Sequence, residues 1–451
     1  MKLVYGIHDK PKFSQLLVFA FQQVLAILAA TIAVPSIINS NENILLVFPE
    51  GVGMSQPAAL FGAGVGTLVY QLFTKFKSPV YLGSSFAFLG SMAAAFTGAL
   101  SVAGGFAGLI IGATFAGLVY VALAIIIKKA GVSWIEKLMP AAVIGPTVAI
   151  IGMSLAGNAV GDLSTGRVAG CSPYVALICG LCTLFAVMAF SVYGKKMMKL
   201  IPFILGILVG YVVATIFTVI GIAMDKAALQ VIDFSAFKNM EIFAVPDFTF
   251  VKALKGFGDI TGGYIATLAV AYIPVAFVVF AEHIADHKNL SSVIGHDLLQ
   301  EPGLHRTLMG DGVGSIAGSF FGGCPNTTYG ESVGCVAITR NASVITITAA
   351  AVMCIIISFF GPFVTFLASI PNCVMGGVCF ALYGFIAVSG LKMVQKIDLN
   401  KSSNLFTVSV ILIAGIGGLS LSFGQVTLTS TACALILGIC TNLALSRGKE
   451  D

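Results

Sequence analysis

From Phe13 almost to its last residue the chain alternates long apolar runs with short polar breaks. A bilayer's hydrocarbon core needs about 20 apolar residues of helix, and these runs recur at that length. Reading apolar blocks between polar breaks predicts about fourteen membrane segments. They fall near 14–38, 56–74, 84–100, 103–127, 138–157, 174–193, 200–223, 264–285, 308–323, 331–346, 347–368, 373–390, 404–421 and 426–445. The segments near 84 and 331 are short and each follows a polar, glycine-containing stretch, so both are expected to be discontinuous helices. After Met1–Lys12 the first run, Phe13 to Ile38, is too long for a cleavable leader.

Composition strengthens this picture. Of the 451 residues 58% are hydrophobic and 10% charged, with a mean hydropathy of +1.01. Soluble domains carry about 25% charged residues, so a soluble protein is excluded. The 51 glycines suit close helix packing in lipid. The net charge of +5 does not point to nucleic acid, because the basic residues sit in short loops. With the N-terminus inside, nineteen of the twenty-four basic residues fall in cytoplasmic loops, all except Arg167, Lys226, Lys238, Lys252 and Lys255. Four of those five share one long loop, so the charge bias fits an even number of spans with both ends cytoplasmic. The ten cysteines are scattered through apolar stretches, and the Cys179–Cys182 pair has no second pair or histidine beside it, so they read as helix-packing residues.

The chain also repeats itself. "PAAVIG" at Pro140–Gly145 and "PNCVMG" at Pro371–Gly376 share proline, valine and glycine in register. "VYLGSS" at Val80–Ser85 and "TTYGES" at Thr327–Ser332 share glycine and serine, each opening one of the short helices. Two matches in the same order divide the chain into two sets of seven. An odd number makes the second set enter the membrane from the opposite side, the inverted repeat of many secondary transporters, whose site lies where broken helices meet. The expected division is 1–225, a loop at 226–262, and 263–451.

Two carboxylates sit where hydrocarbon should be. Glu282 lies late in the segment "YIATLAVAYIPVAFVVFAEHIADH", and Glu331 starts the short helix after "CPNTTYG". A charge at mid-membrane costs about 2.5–3.5 kcal/mol on insertion scales, so such groups usually face a polar cavity. The plainer reading is a structural pair, or a misplaced span that leaves one of them in a loop. A helix starting at residue 331 would point unpaired backbone N–H groups into that cavity, and "YLGSSF" would bring a second helix start opposite, with Phe86 just inside it. Backbone donors, carboxylate acceptors and an aromatic face describe a site for a flat, neutral ring bearing N–H and C=O groups.

The stretches "AEHIADHKN", "EPGLHRTLMGDG", "PNTTYGESVGCVAITR" and "YLGSSFAF" resemble the uracil-permease branch of the nucleobase–ascorbate transporter family, along essentially the whole chain. The resemblance implies an all-α fold of fourteen spans in two inverted seven-span repeats, with short strands before two half-helices. It implies a core domain of about 14–127 and 264–368 and a gate domain of about 138–223 and 373–445. It further implies a proton-coupled nucleobase symporter without a cofactor, a homodimer in the bacterial cytoplasmic membrane. By motif match Glu282 and Glu331 would hydrogen-bond the base, Gly330 and Tyr329 would contribute through adjoining backbone, and Phe86 would stack on it. Ala30 matches a close-packing position on the first span. The sequence departs from the family at Ser332, which loosens the choice of uracil over xanthine or urate. It departs again at Asp286, where some relatives carry histidine, leaving Glu282, Asp286 and His283 as the proton-coupling set.

Rival readings use the same residues. Glu282 with Asp286, and His283 with His287, stand at i,i+4 spacing and would suit a metal-dependent intramembrane enzyme or a metal transporter. Against it, the cluster reads as the solvated end of a span, with His283 a helix-end residue and His287 in a loop, and no second ligand cluster accompanies it. An anion carrier of similar repeat architecture is disfavoured because two carboxylates would repel the ligand. A xanthine or urate permease of the same fold remains the nearest alternative. The proton is expected to enter with the base.

Overall fold

The structure is a computed structural model that describes residues 3–131, 133–195, 197–238, 240–423 and 426–446. Four of the basic residues assigned to the inside, Lys2, Lys196, Arg447 and Lys449, lie outside the described residues. The first half forms α1 (Phe13–Asn39), α2 (Gln56–Phe73), a 3₁₀ turn at Phe86–Phe88 running into α3 (Leu89–Thr97), α4 (Val102–Ala130), α5 (Ala141–Ser154), α6 (Pro173–Tyr193) and α7 (Pro202–Ala223). The second half forms α8 (Gly262–Ile294), α9 (Leu304–Gly322), α10 (Gly330–Thr339), α11 (Val344–Ile357), α12 (Asn372–Val394), α13 (Ser402–Ile416) and α14 (Ser430–Ser446). Strand β1 (Leu82–Ser84) precedes the 3₁₀ turn and β2 (Asn326–Thr328) precedes α10, while β3 (Leu421–Phe423) and β4 (Val426–Leu428) pair between α13 and α14. Among the described residues seven helices are long and apolar enough to cross a membrane, so the chain is a multi-pass membrane protein.

The helices fall into two packing groups. In one, α9 lies against α2 and α4, with α11 on α2 and α8 on α4. In the other, α12 packs on α5 and α6, α7 packs on α6, and α13 on α14 and α5. Small residues set the closest approaches, as expected where lipid removes any hydrophobic drive between helices. A methyl added at Gly66 would stand 2.7 Å from the carbonyl oxygen of Gly314, and one at Gly314 would stand 2.7 Å from that of Gly66. Elsewhere Gly145 faces the Gly390 carbonyl and Gly376 faces the backbone of Asp162 and Leu163.

Several boundaries differ from expectation, each for a physical reason. The segment expected at 264–285 is a helix from Gly262 to Ile294. The Thr261 hydroxyl accepts from the Tyr264 amide at 3.2 Å at its start, and its end waits for Gly295, whose φ of +69° makes a left-handed cap. Polar residues such as Lys288 and Ser291 do not stop it. The segment expected at 331–346 ends at Thr339, because Arg340 turns left-handed at φ +55° and the Asn341 carboxamide oxygen accepts from the Ser343 amide at 3.0 Å. The linker then pairs with the N-terminal segment, Ala342 N donating to Tyr5 O at 2.9 Å and Val344 N to Ile7 O at 3.0 Å. The segment expected at 347–368 breaks into α11 and a short helix Gly361–Ser369, whose first turn holds Pro362, a residue that cannot continue a helix already running. The segment expected at 138–157 is α5 followed by a second short helix, Ala156–Leu163.

Candidate functional site

The site is built where β1 and β2 cross in antiparallel register, Leu82 opposite Thr328, Gly83 opposite Thr327 and Ser84 opposite Asn326. Residues 242 to 246 positions apart in the chain thus meet deep inside the protein, where backbone polar groups need partners. The Ser85 amide extends the ladder to Pro325 O at 2.8 Å. Asn326 fastens it to the helices behind, its amide donating to Ser315 Oγ at 3.0 Å and its side chain to Gly62 O at 3.1 Å. Tyr329 folds back so that its hydroxyl donates to Ser84 O at 2.8 Å, and its ring covers Gly83, where any larger residue would collide with it.

Beyond each strand a helix begins. After β2, α10 starts at Gly330 with Glu331 in its first turn; after β1 the chain enters the 3₁₀ turn at Phe86. The first N–H groups of a helix have no partner within it, so both starts present donors. A cavity of about 460 Å³ lies here, and its lining brings together Phe86, Glu282, Asp286, Tyr329, Gly330 and Glu331. Apolar walls come from the second packing group, including Ile144, Ile151 and Phe385. The Phe86 ring meets the ring of Tyr383 edge to face at 6.3 Å. On α8, Glu282 and Asp286 are one turn apart on the cavity face, and Asp286 Oδ2 accepts from Thr328 Oγ1 at 2.7 Å. Three carboxylates therefore share one cavity whose described lining contains a single basic residue, Lys199.

The other expected site residues lie elsewhere. Ala30 is buried in α1, within the helix packing and away from the cavity lining. His283 and His287 are fully buried, which corrects the reading of a solvated helix end and of a loop position for His287; α8 simply continues past both. His283 Nδ1 contacts Asp311 Oδ2 at 2.6 Å and its Nε2 contacts Thr307 Oγ1 at 3.0 Å. His287 stacks on the His283 ring at 4.0 Å, and its Nε2 contacts the Tyr70 hydroxyl at 2.8 Å. Both histidines thus face α2 and α9, away from Glu282 and Asp286. Among the described residues no group of three or more His, Cys, Asp and Glu side chains converges as metal ligands.

Sequence reasoning missed three buried polar residues, of which Thr328 lines the cavity and Asp311 and Gln23 lie behind it. Asp311 interrupts an apolar segment, the same signal that marked Glu282. Thr328 and Gln23, whose side chain donates to Ser332 Oγ, carry no such signal.

Broken helices facing each other across a polar cavity within a helical bundle define a polytopic membrane transporter. The same fold is found in the inward-facing murine Slc26a9 anion transporter, with a TM-score of 0.65 and 13% identity, covering 98% of this chain and 69% of that one. It is found again in the transmembrane domain of the cyanobacterial bicarbonate transporter BicA, at a TM-score of 0.59 and 16% identity, covering 97% and 100%. At such identities the likeness concerns the fold alone. The model of the Permease family matches residues 14–422, and the chain belongs to that family. The protein is 39% identical to the uracil permease of Bacillus caldolyticus over 447 residues, 98% of this chain and 95% of that one. It is 36% identical to the uracil permease of Bacillus subtilis, covering 100% and 97%, and 33% identical to that of Escherichia coli K12, covering 97% and 93%. The chain is a transporter and not an enzyme.

Proposed function

We propose that this protein is a proton-coupled symporter that imports a nucleobase, best fitted by uracil, across a bacterial cytoplasmic membrane. One observation carries the choice of ligand: three carboxylates and two helix starts share a cavity with an aromatic ring and a single lysine. Such a site repels an anion and suits a flat, uncharged ring with N–H donors and C=O acceptors. The uracil permeases among its relatives support the same reading over nearly the full chain.

In this reading Glu331 and Glu282 accept from the ring N–H groups, the Tyr329–Gly330 backbone donates to a ring carbonyl, and Phe86 stacks on the face. Ala30 keeps α1 close behind them. Glu282 takes up the transported proton, with Asp286 as its neighbour on the cavity face. The His283–Asp311 contact, sealed from the cavity, holds α8 against α9. The first packing group is the core domain and the second the gate, arranged as fourteen spans in two inverted repeats with both termini cytoplasmic, and the unit is a homodimer. The reciprocal approach of Gly66 and Gly314 supports the repeat. So does the pairing of Gly145 with Gly390 and Gly376 with Asp162–Leu163, since the spacing that carries Pro140 onto Pro371 also carries Gly145 onto Gly376.

A proton arriving with a neutral base leaves the loaded core without extra negative charge. One charge moved across 100 mV is worth about 2.3 kcal/mol, enough for roughly fifty-fold accumulation. The test is uptake of labelled uracil into proteoliposomes under an imposed pH gradient, with xanthine, thymine and adenine as competitors. Accumulation abolished by a protonophore and blocked by unlabelled uracil is expected. Stronger competition by xanthine than by uracil would move the substrate to the purine branch, and accumulation indifferent to the gradient would reject proton coupling.

A further inference from the structure

A second cavity, of about 620 Å³, lies end to end with the first. Along α5 the first cavity takes Ile144, Val148 and Ile151, and the second takes Ile151, Ser154, Leu155 and then Asn158 of the short helix that follows. Along α1 the first takes Ala26 and the second Ile37 and Ile38. At 1.5 Å of rise per residue, those levels are about 17 Å apart along the helix. The two linings share Phe86, Ala87 and Ile151, so a single layer of side chains divides them. A third cavity, of about 780 Å³ and lined by Ser36, Gln56 and Arg167 among others, shares no lining residue with the first.

The second cavity is not simply a greasy groove. Asn41, Asn158, Ser430 and Thr431 line it, and the Asn41 side-chain oxygen is already used, accepting from the Ile44 amide at 3.2 Å. The half-buried Asn158 carboxamide makes no hydrogen bond within the described residues. A primary carboxamide offers an N–H and a C=O side by side, the complement of a lactam edge with its C=O and N–H, so one side chain gives two parallel hydrogen bonds. Acyl chains of lipid would have no use for that group.

We propose that the second cavity is a second binding station for the same planar lactam, on the opposite membrane face, with Asn158 as its recognising side chain and Phe86, Ala87 and Ile151 as the partition that opens when the core shifts. The inference rests on the nucleobase reading above. The stations bind in succession: the ring meets Asn158 first, then passes under Phe86 into the carboxylate cavity.

Two measurements on the full-length protein in proteoliposomes test it. Ser154→Cys is labelled with a membrane-impermeant maleimide from the face of the second cavity, the wild type giving the background of its ten native cysteines. Uracil should slow labelling at least five-fold, and should leave labelling of Val245→Cys, in the third cavity, unchanged. Asn158→Ala should raise the KM for uracil presented on that face about tenfold with kcat within twofold, and leave KM from the other face unchanged. Absence of protection while the wild type still binds uracil would overturn the second station, as would equal KM changes on both faces. A wild type that binds no uracil at all would instead overturn the nucleobase reading.

Discussion

The two half-helix starts are built alike yet finished differently. Both follow a three-residue strand of the same small sheet, and both open into the same cavity. After β1 the chain tightens into a 3₁₀ turn and delivers an aromatic ring; after β2 it enters an α-helix at once and delivers a carboxylate. The two turns are also tied down differently: the first by Thr67 of α2, whose hydroxyl accepts from the Leu82 amide at 3.0 Å, the second by Asn326 and by the Thr328–Asp286 hydrogen bond to α8. A duplicated scaffold thus provides two positions, and divergence gives one to ring stacking and the other to polar recognition. The division predicts that substitutions on the two sides will fail in different ways.

The largest effect is expected on the acidic side, at α8. Glu282→Gln keeps the shape and a hydrogen-bonding group but removes the proton site, so accumulation under a pH gradient should fall from roughly fifty-fold to near equilibrium. Exchange of labelled for unlabelled uracil should persist. Undiminished gradient-driven accumulation in proteoliposomes would remove Glu282 from coupling and leave Asp286 as the cavity carboxylate to test next.

Glu331→Gln follows in size. A hydrogen bond to a charged group contributes about 1.5–3 kcal/mol, so uracil affinity should drop about a hundredfold. Thermal unfolding of the purified protein should be unchanged, because among the described residues the Glu331 side chain makes no hydrogen bond to another residue. Binding by equilibrium titration, compared with the melting curve, checks both halves; unaltered affinity would take Glu331 out of the site.

How much of this was readable from the chain depends on where each signal resides. The helix expected at 174–193 is Pro173–Tyr193 and that at 200–223 is Pro202–Ala223, since apolar runs flanked by loops with a basic residue, Arg167, Lys195, Lys199 and Lys226, are marked locally on both sides. The α8 end was misplaced because Lys288 and Ser291 look like a loop, although nothing stops the helix until Gly295 supplies a left-handed cap. The α10 end was misplaced for the opposite reason: apolar Val344 to Thr348 continue the run, and only the turn at Arg340–Ser343 and its pairing with Tyr5 and Ile7 interrupt it. Glu282 and Glu331 stood out because carboxylates in hydrocarbon are expensive. Thr328 did not, because threonine is cheap there and its partner lies 42 positions away. The inward face of His283 and His287 likewise depends on α2 and α9, which local spacing does not report.

On the aromatic side the expected effect is smaller. Stacking a base on an aromatic side chain is worth about 1–3 kcal/mol by alanine substitution, so Phe86→Ala should weaken uracil binding about tenfold. It should also lose the edge contact to Tyr383 while leaving gradient coupling intact. Phe86→Tyr should retain most of the affinity. A Phe86→Ala protein that binds normally but no longer accumulates would invert the division of labour between the two turns.

The smallest effect sharpens the comparison most, because it touches only the way the second turn is tied to α8. Thr328→Val preserves volume and strand propensity but removes the hydroxyl that donates to Asp286 Oδ2 at 2.7 Å. Asp286 stays at the cavity, so the carboxylate is still present but no longer oriented, and affinity for uracil should fall about three- to tenfold. Thr328→Ser, which restores the donor, should recover it. Asp286→Asn alone and combined with Thr328→Val completes a double-mutant cycle measured by the same titration, and a non-zero coupling term is expected because the two side chains are in direct contact. If the two losses simply add, β2 orients the site through Asn326 and Tyr329 alone, and the tie between the second turn and α8 is a matter of fold and not of recognition.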